Sequence, residues 1–252
     1  MQDLIDGSID MMVTSPPYWD IKNYFKKGQI GQESYKEYQI RISKVWKECY
    51  KKLNDFGTMW INVNTIFKNR KLVPIPGDII KNCKEIGFKF KACIIWHKSS
   101  AIPTGPNNLC DHFEYFFIFS KTNKLYLNCK NLDQINDYSN KDFLNGSFWN
   151  INRKAGIIGK NYIHPAVFPL ELIKRSVSIS TNENDLVLDP FLGSGTTLLA
   201  ALNTGRSFVG YEFYEGFKDV IEFRIKNESI KTTLTKFHLL DKTDVKHKIF
   251  RN

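Results

Sequence analysis

The sequence has no apolar run approaching the roughly 20 residues that a membrane-spanning helix needs. Its first ten residues, Met1 to Asp10, carry three aspartates where a secretory signal would need a basic start. No membrane partner and a cytoplasmic location are therefore expected. The five cysteines, at positions 49, 83, 93, 110 and 129, are odd in number and form no C-x-x-C pair, which speaks against both a disulfide framework and a zinc site. Internal repeats and low-complexity tracts are also missing, and no Pro/Gly/Ser-rich linker divides the chain. With 252 residues, 42% of them hydrophobic, the expected organisation is one domain over 1–252 with a single sizeable core.

What the chain has in excess is positive charge. Thirty-six Lys and Arg against 26 Asp and Glu leave a formal net charge of +10, which suits a polyanionic partner and would steer it in by long-range attraction. Charge alone is a weak argument, because many proteins are basic without binding nucleic acid.

Short apolar runs predict strands at Ile9 to Val13, Met59 to Val63, Phe88 to Trp96, Phe113 to Phe119, Leu186 to Leu188 and Ser207 to Tyr211. Between them lie helical patterns. From Tyr35 to Leu53, apolar residues at 38, 42, 45, 46, 49 and 53 recur at helical spacing after a Ser34/Glu37 capping box. A second helix is expected from Gly77 to Ile86, stopped by Gly87, and others after Pro169, Thr196 and Glu215. Alternation of this kind predicts an α/β fold, a mostly parallel sheet with helices on both faces. Phe113 to Phe119 and Lys124 to Leu127, joined through Thr122-Asn123, are expected to form an antiparallel edge hairpin. Residues 128–161 lose the pattern among Asn, Asp, Lys and Gly, and suit an inserted loop region better than core.

Two stretches carry chemistry. In Leu186-Val187-Leu188-Asp189-Pro190-Phe191-Leu192-Gly193-Ser194-Gly195-Thr196-Thr197, a strand ends in a glycine turn that opens a helix, which lets backbone approach a ligand at the carboxyl edge of a sheet. No Gly-Lys-Ser/Thr follows, so this is not a phosphate-binding P-loop. Glu212, 17 residues after Gly195 at the end of the next predicted strand, is placed to accept hydrogen bonds from both hydroxyls of a ribose. The other stretch is Thr14-Ser15-Pro16-Pro17-Tyr18-Trp19, which follows the first strand. Its Pro-Pro corner fixes the backbone direction and sets a hydroxyl beside an aromatic ring. Such a corner suits an exocyclic amine on a heteroaromatic ring, which becomes nucleophilic only when its hydrogens are held out of plane. The Ser15 hydroxyl and the Pro16 carbonyl can accept those hydrogens while Tyr18 stacks on the ring. Standing alone, the same stretch would read as a rigid turn with surface aromatics.

Together the two motifs resemble the DNA amino-methyltransferase family, with D-P-F-x-G-S-G-T-T at the cofactor and Ser/Asp-Pro-Pro-Tyr/Phe/Trp at the target base. The resemblance implies a Rossmann-like methyltransferase fold, S-adenosylmethionine (AdoMet) as cofactor, no metal, and double-stranded DNA as partner. It assigns catalysis to Ser15, Pro16, Pro17 and Tyr18. It assigns cofactor binding to Asp189, Pro190, Phe191, Gly193, Ser194, Gly195, Thr196 and Glu212, with His164 and Pro165 beside the cofactor and Asp241 on its adenine. The order, base motif before cofactor motif, resembles the family's permuted group. A second copy of the chain and a cognate restriction endonuclease are candidate partners on the same ground, and 128–161 is the expected target-recognition insertion.

Ile94-Ile95-Trp96-His97-Lys98 and His112-Phe113-Glu114-Tyr115 resemble further segments of the family. Two departures concern recognition: the arginine common after the Trp-His-Lys segment and its proline is replaced by Pro103-Thr104-Gly105-Pro106-Asn107-Asn108, and the insertion is short. Arg153, Lys154 and Lys160, interleaved with Trp149 and Tyr162, are candidates to grip phosphates and stack on bases, with a solvated basic surface as the plain alternative. Serine at position 15, where adenine enzymes of the family usually carry aspartate, favours cytosine N4 over adenine N6 as acceptor. The rival readings are an adenine enzyme, a methyltransferase of RNA or small-molecule amines, and an inert DNA-binding or specificity subunit.

Overall fold

The alternation of apolar strand and amphipathic helix is realised almost element by element. The computed structural model describes residues 1, 4–20, 28–69, 71–98, 111–128, 146–153, 157–158, 162–163 and 167–228. In chain order the elements are β1 (Ile9–Thr14), α1 (Tyr35–Lys52), β2 (Leu53–Val63), β3 (Ile66–Lys68), β4 (Lys71–Val73), α2 (Ile75–Ile86), β5 (Lys89–His97) and β6 (Phe113–Ser120). They continue with β7 (Phe148–Asn150), β8 (Ile157–Ile158), β9 (Tyr162–Ile163), α3 (Leu170–Ser180), β10 (Leu186–Asp189), α4 (Thr196–Asn203), β11 (Ser207–Gly210) and α5 (Lys218–Glu228).

Seven strands form one sheet in the order β11-β10-β1-β2-β6-β5-β7. β11, β10, β1 and β2 run parallel, β6 is antiparallel to both of its neighbours, and β7 is parallel to β5. Because successive strand residues point to opposite faces, each strand contributes to two cores. Met11, Val13, Trp60, Phe116, Val187 and Phe208 pack under α3, α4 and α5. Met12, Met59, Ile61, Phe117, Leu188 and Val209 pack under α1 and α2. At the opposite edge from the site, Asp10 accepts from Asn54 Nδ2 at 2.6 Å and from the Leu186 amide at 2.7 Å, tying β1 to both neighbours.

The structure corrects two expectations. The residues after β6 do not turn back as its hairpin partner: the Tyr126 amide bonds to Phe56 O and the Asn128 amide to Ile179 O, so Lys124 to Leu127 runs across the sheet end. β6 is already paired on both sides, by β2 and β5, which leaves it no free edge. Antiparallel hairpins form instead at β3–β4, with Phe67 opposite Leu72, and at β8–β9, with Ile157 opposite Ile163. The second correction concerns Trp149, considered above as a base-stacking residue. It is 2% exposed, stacked on Trp60 at 6.0 Å with the Arg175 guanidinium over its ring at 5.7 Å. β7 therefore joins the main sheet, which a run of only three residues in a polar stretch did not announce.

The α1 capping box forms as read: Ser34 Oγ accepts from the Glu37 amide at 3.3 Å, and Glu37 Oε2 accepts from the Ser34 amide at 3.2 Å. Ser34→Ala should cost about 1 kcal/mol. Urea unfolding should show a lower midpoint with an unchanged slope; an unchanged midpoint would show that the box contributes nothing.

Candidate functional site

Parallel strands deliver their carboxyl ends to one edge, and the two motifs meet there because β1 and β10 are neighbours. The contact is a side-chain bond. Thr14 Oγ1, the last residue of β1, donates to Asp189 Oδ1 at 2.6 Å, while Thr197 Oγ1 from the first turn of α4 donates to Oδ2 at 2.6 Å and the Phe191 amide to Oδ1 at 2.9 Å. Asp189 is 2% exposed. Burial pushes its carboxyl up to about 6, against the pull of these three donors and with the charge of Glu212 adding to the rise. A carboxylate offers about four acceptor directions, so among the described residues Oδ2 keeps one open.

The turn between them depends on glycine at two positions: φ is +54° at Gly193 and +80° at Gly195, the left-handed region where a β-carbon is costly. A Cβ on Gly195 would also meet Ile221 Cγ1 of α5 at 3.3 Å. Glu212, two residues past β11, closes the turn from the other side. Its Oε2 accepts from the Gly193 amide at 2.7 Å and its Oε1 from the Tyr214 amide at 2.8 Å. Phe191 meets Trp46 of α1 edge-on at 6.2 Å. Thr196 and Ser194 are buried beneath the turn.

Beneath it also lies a residue the sequence reading passed over. Arg224 of α5 is fully buried and donates to Ser194 O at 3.0 Å, Ser194 Oγ at 3.1 Å and Thr196 Oγ1 at 2.7 Å, with Glu228 at 3.2 Å as its counter-charge. The readable signal was a cation on the apolar face of a helix, three and four residues after Ile221 and Val220.

The base motif leaves β1 at the same edge. Pro16 is buried, and Ser15, Pro17 and Tyr18 are half-buried. Tyr38 of α1 donates its hydroxyl to Pro17 O at 3.1 Å, and Trp19 donates its indole N–H to Glu33 O at 2.8 Å, so the Pro-Pro corner is held from behind. Ser15 Oγ has no hydrogen-bond partner among the described residues. The Tyr18 hydroxyl donates to Glu114 Oε2 of β6 at 3.3 Å, and Glu114 Oε1 pairs with Lys98 at 3.2 Å. His97 bonds Asn150 Oδ1 at 3.0 Å and stacks on Phe148, a polar structural role. Among the described residues no three His, Cys, Asp or Glu side chains gather as metal ligands. His164, Pro165 and Asp241, as well as Lys154, Lys160 and residues 99–110 and 129–145, lie outside the described residues.

Comparison with known proteins agrees with this arrangement. The DNA methylase family of N6/N4 methyltransferases matches residues 9–223. Type II methyltransferase M.Cfr9I of Citrobacter freundii is 29% identical, over 90% of this chain and 85% of its own length. Type II methyltransferase M.MthZI of Methanothermobacter thermautotrophicus is 31% identical over 92% and 75% respectively. Among solved structures, a candidate DNA modification methylase of Thermus thermophilus in complex with S-adenosyl-L-methionine is 28% identical with a TM-score of 0.68, covering 91% of this chain and 90% of that one. The cytosine-N4-specific PvuII DNA methyltransferase, 21% identical, shares the fold with a TM-score of 0.75 over 91% and 84% of the two chains. The chain belongs to the N6/N4 DNA methylase family, and it is an AdoMet-dependent DNA amino-methyltransferase of Rossmann-like fold.

Arg224→Ala should strip three acceptors beneath the glycine turn of their donor and destabilise the fold by roughly 2–4 kcal/mol. Chemical denaturation reads this directly; a loss below about 1 kcal/mol would mean that water or a neighbour replaces the guanidinium.

Proposed function

We propose that this enzyme methylates the N4 amine of a cytosine turned out of double-stranded DNA. The observation that carries the reading is the meeting of Thr14 and Asp189, which sets the Ser15–Tyr18 corner beside the glycine turn. The residues present fit AdoMet. Asp189 Oδ2 would accept the methionine ammonium in its open direction, and the backbone of Gly193 to Gly195 would lie against the cofactor beside Pro190, Phe191, Ser194 and Thr196. The oxygens of Glu212 would accept from the ribose hydroxyls. Bound there, AdoMet supplies an electrophilic methyl group on a sulfonium.

The rest is positioning by the chain itself. A conjugated amine spreads its lone pair into the ring, and Ser15 Oγ with Pro16 O recovers it by accepting the two amine hydrogens out of the ring plane. Tyr18 stacks on the ring, and Pro17 keeps the corner rigid. No covalent enzyme intermediate is needed, and the surplus proton leaves to water after transfer. Rate comes from orientation, since a reacting pair held in line avoids most of the entropic cost of encounter. Flipping costs a few kcal/mol, which contacts between the basic chain and the phosphates offset. Cytosine is favoured because a neutral serine hydroxyl is a weaker acceptor than the aspartate usual at this place in adenine enzymes.

Three outcomes are expected. Methylated duplex DNA, digested to nucleosides and resolved by mass spectrometry, should contain 4-methylcytosine; methyladenine alone would overturn the base assignment. Tyr18→Ala should remove a stacking contact worth roughly 1–3 kcal/mol, so that methyl transfer collapses while AdoMet affinity stays; loss of both, or of neither, would remove Tyr18 from this role. The third concerns pH. Asp189 titrates near 6 when folded against 3.8 ordinarily, so its contribution to stability is full below about pH 4 and is lost as pH rises to 6. The ammonium needs the ionised form, so calorimetry from neutral pH downward should show AdoMet affinity falling below about pH 6, toward tenfold per unit. An affinity that is flat or higher in acid would contradict the Asp189 assignment.

A further inference from the structure

Behind Tyr18 stands a cluster of charged and amide side chains that the transfer chemistry above does not use. Lys98 follows β5 and Glu114 sits on β6; β5 runs parallel to β2, and β6 enters from the same end, so both lie at the edge that carries the site. Glu114 Oε1 is 3.2 Å from Lys98 Nζ, and Glu114 Oε2 is 3.3 Å from the Tyr18 hydroxyl. The side chains of Lys98 and Glu114 are 10% and 20% exposed. Asp111 adds a second carboxylate 3.5 Å from Lys98 and is itself held by Asn64 at 2.8 Å. Asn62 of β2 donates to Tyr115 O at 3.2 Å, and the Lys98 ammonium lies 6.0 Å from the Trp96 ring.

Holding two opposite charges at a site edge is expensive in desolvation and is weak evidence for stability. Burial does raise the Glu114 carboxyl above its ordinary range, with Lys98 the main opposing influence. The arrangement makes sense if its output is the placement of the Tyr18 ring, whose hydroxyl it holds. Tyr18 has two anchors on different elements: its chain end is fixed through Pro17 O by Tyr38 of α1, and its hydroxyl end by Glu114 of β6. Two fixed ends define the long axis of the ring, and with it the place at the site edge where a base can stack.

We infer that Lys98 and Glu114 form a clamp that positions Tyr18 as the platform for the flipped base, with Lys98 holding the carboxylate and the carboxylate holding the phenol. This rests on the reading of Tyr18 as the stacking residue. Both are positioning residues, and neither touches the reacting atoms. A clamp of this kind acts on the DNA step and leaves AdoMet alone, since Asp189 and Glu212 take no part in it.

The test is a double-mutant cycle on Tyr18→Phe and Glu114→Ala in the full chain, using PCR-amplified DNA, which carries no methylated cytosine or adenine, and AdoMet labelled in its methyl group. Tyr18→Phe deletes only the hydroxyl and should lower kcat/KM for DNA about tenfold, with the AdoMet Kd within twofold of the parent. Glu114→Ala should lose at least as much, and the double variant should be no worse than Glu114→Ala alone. Losses that multiply toward a hundredfold, or a Tyr18→Phe enzyme within twofold of the parent, would overturn the clamp. Should Glu114→Ala fail to fold, Glu114→Leu takes its place: it fills much of the space but offers neither Lys98 nor the phenol an acceptor, and the Tyr18→Phe loss must then shrink below threefold. A Tyr18→Ala enzyme that still methylates would instead refute the platform itself, so the two failures are distinguishable.

Discussion

The carboxylate of Asp189 is the joint on which this site turns. One oxygen is bonded by Thr14 of β1 and by the backbone of the glycine turn, the other by Thr197 of α4. Two motifs separated by most of the chain are thereby held by one buried group. Its cost is visible in its proton affinity: burial lifts the carboxyl to about 6, and three donors only partly offset that. A buried acid held in this state binds its protein donors tightly and still welcomes a cation, which is what the role proposed for it, facing an ammonium, requires.

The surroundings multiply the same device, a polar group that crosses between elements. Glu212 reaches back to the Gly193 amide, Arg224 reaches up from α5 to Ser194 and Thr196, Tyr38 reaches from α1 to Pro17, and Glu114 reaches from β6 to Tyr18. The two glycines allow backbone conformations that other residues would strain, and these contacts hold them. Rigidity of this sort is worth more to a direct transfer than acid–base chemistry, because the barrier depends on the relative placement of amine and methyl group.

The elements that were legible in the sequence are those whose pattern is local. The strands at Ile9, Leu186 and Ser207 and the helix from Tyr35 are within a residue or so of expectation, because apolar periodicity and the Ser34/Glu37 box are written within a few positions. β7 and the buried Trp149 were not legible, since a three-residue strand is decided by its partner β5 and not by its own residues. The same holds for the expected hairpin at Lys124: its alternation was suitable, but β6 had no free edge to offer. At the site, Ser15, Tyr18, Asp189 and Glu212 were singled out by motif, and the structure brings both motifs to one sheet edge. Thr14, Lys98 and Glu114 lie in stretches that resemble family segments, but their contacts, like those of Arg224, are with partners far along the chain, a relation that spacing does not record.

The joint at Asp189 can be tested through Thr14, a residue of the base-motif strand with no expected contact to the cofactor. Thr14→Val keeps the shape and removes one donor from the carboxylate. Calorimetric titration of AdoMet into the variant and the parent at neutral pH should show binding weakened about five- to tenfold, with unchanged circular dichroism. Superimposable isotherms would show that Asp189 holds the cofactor turn without help from the base-motif strand, and the coupling described here would be wrong.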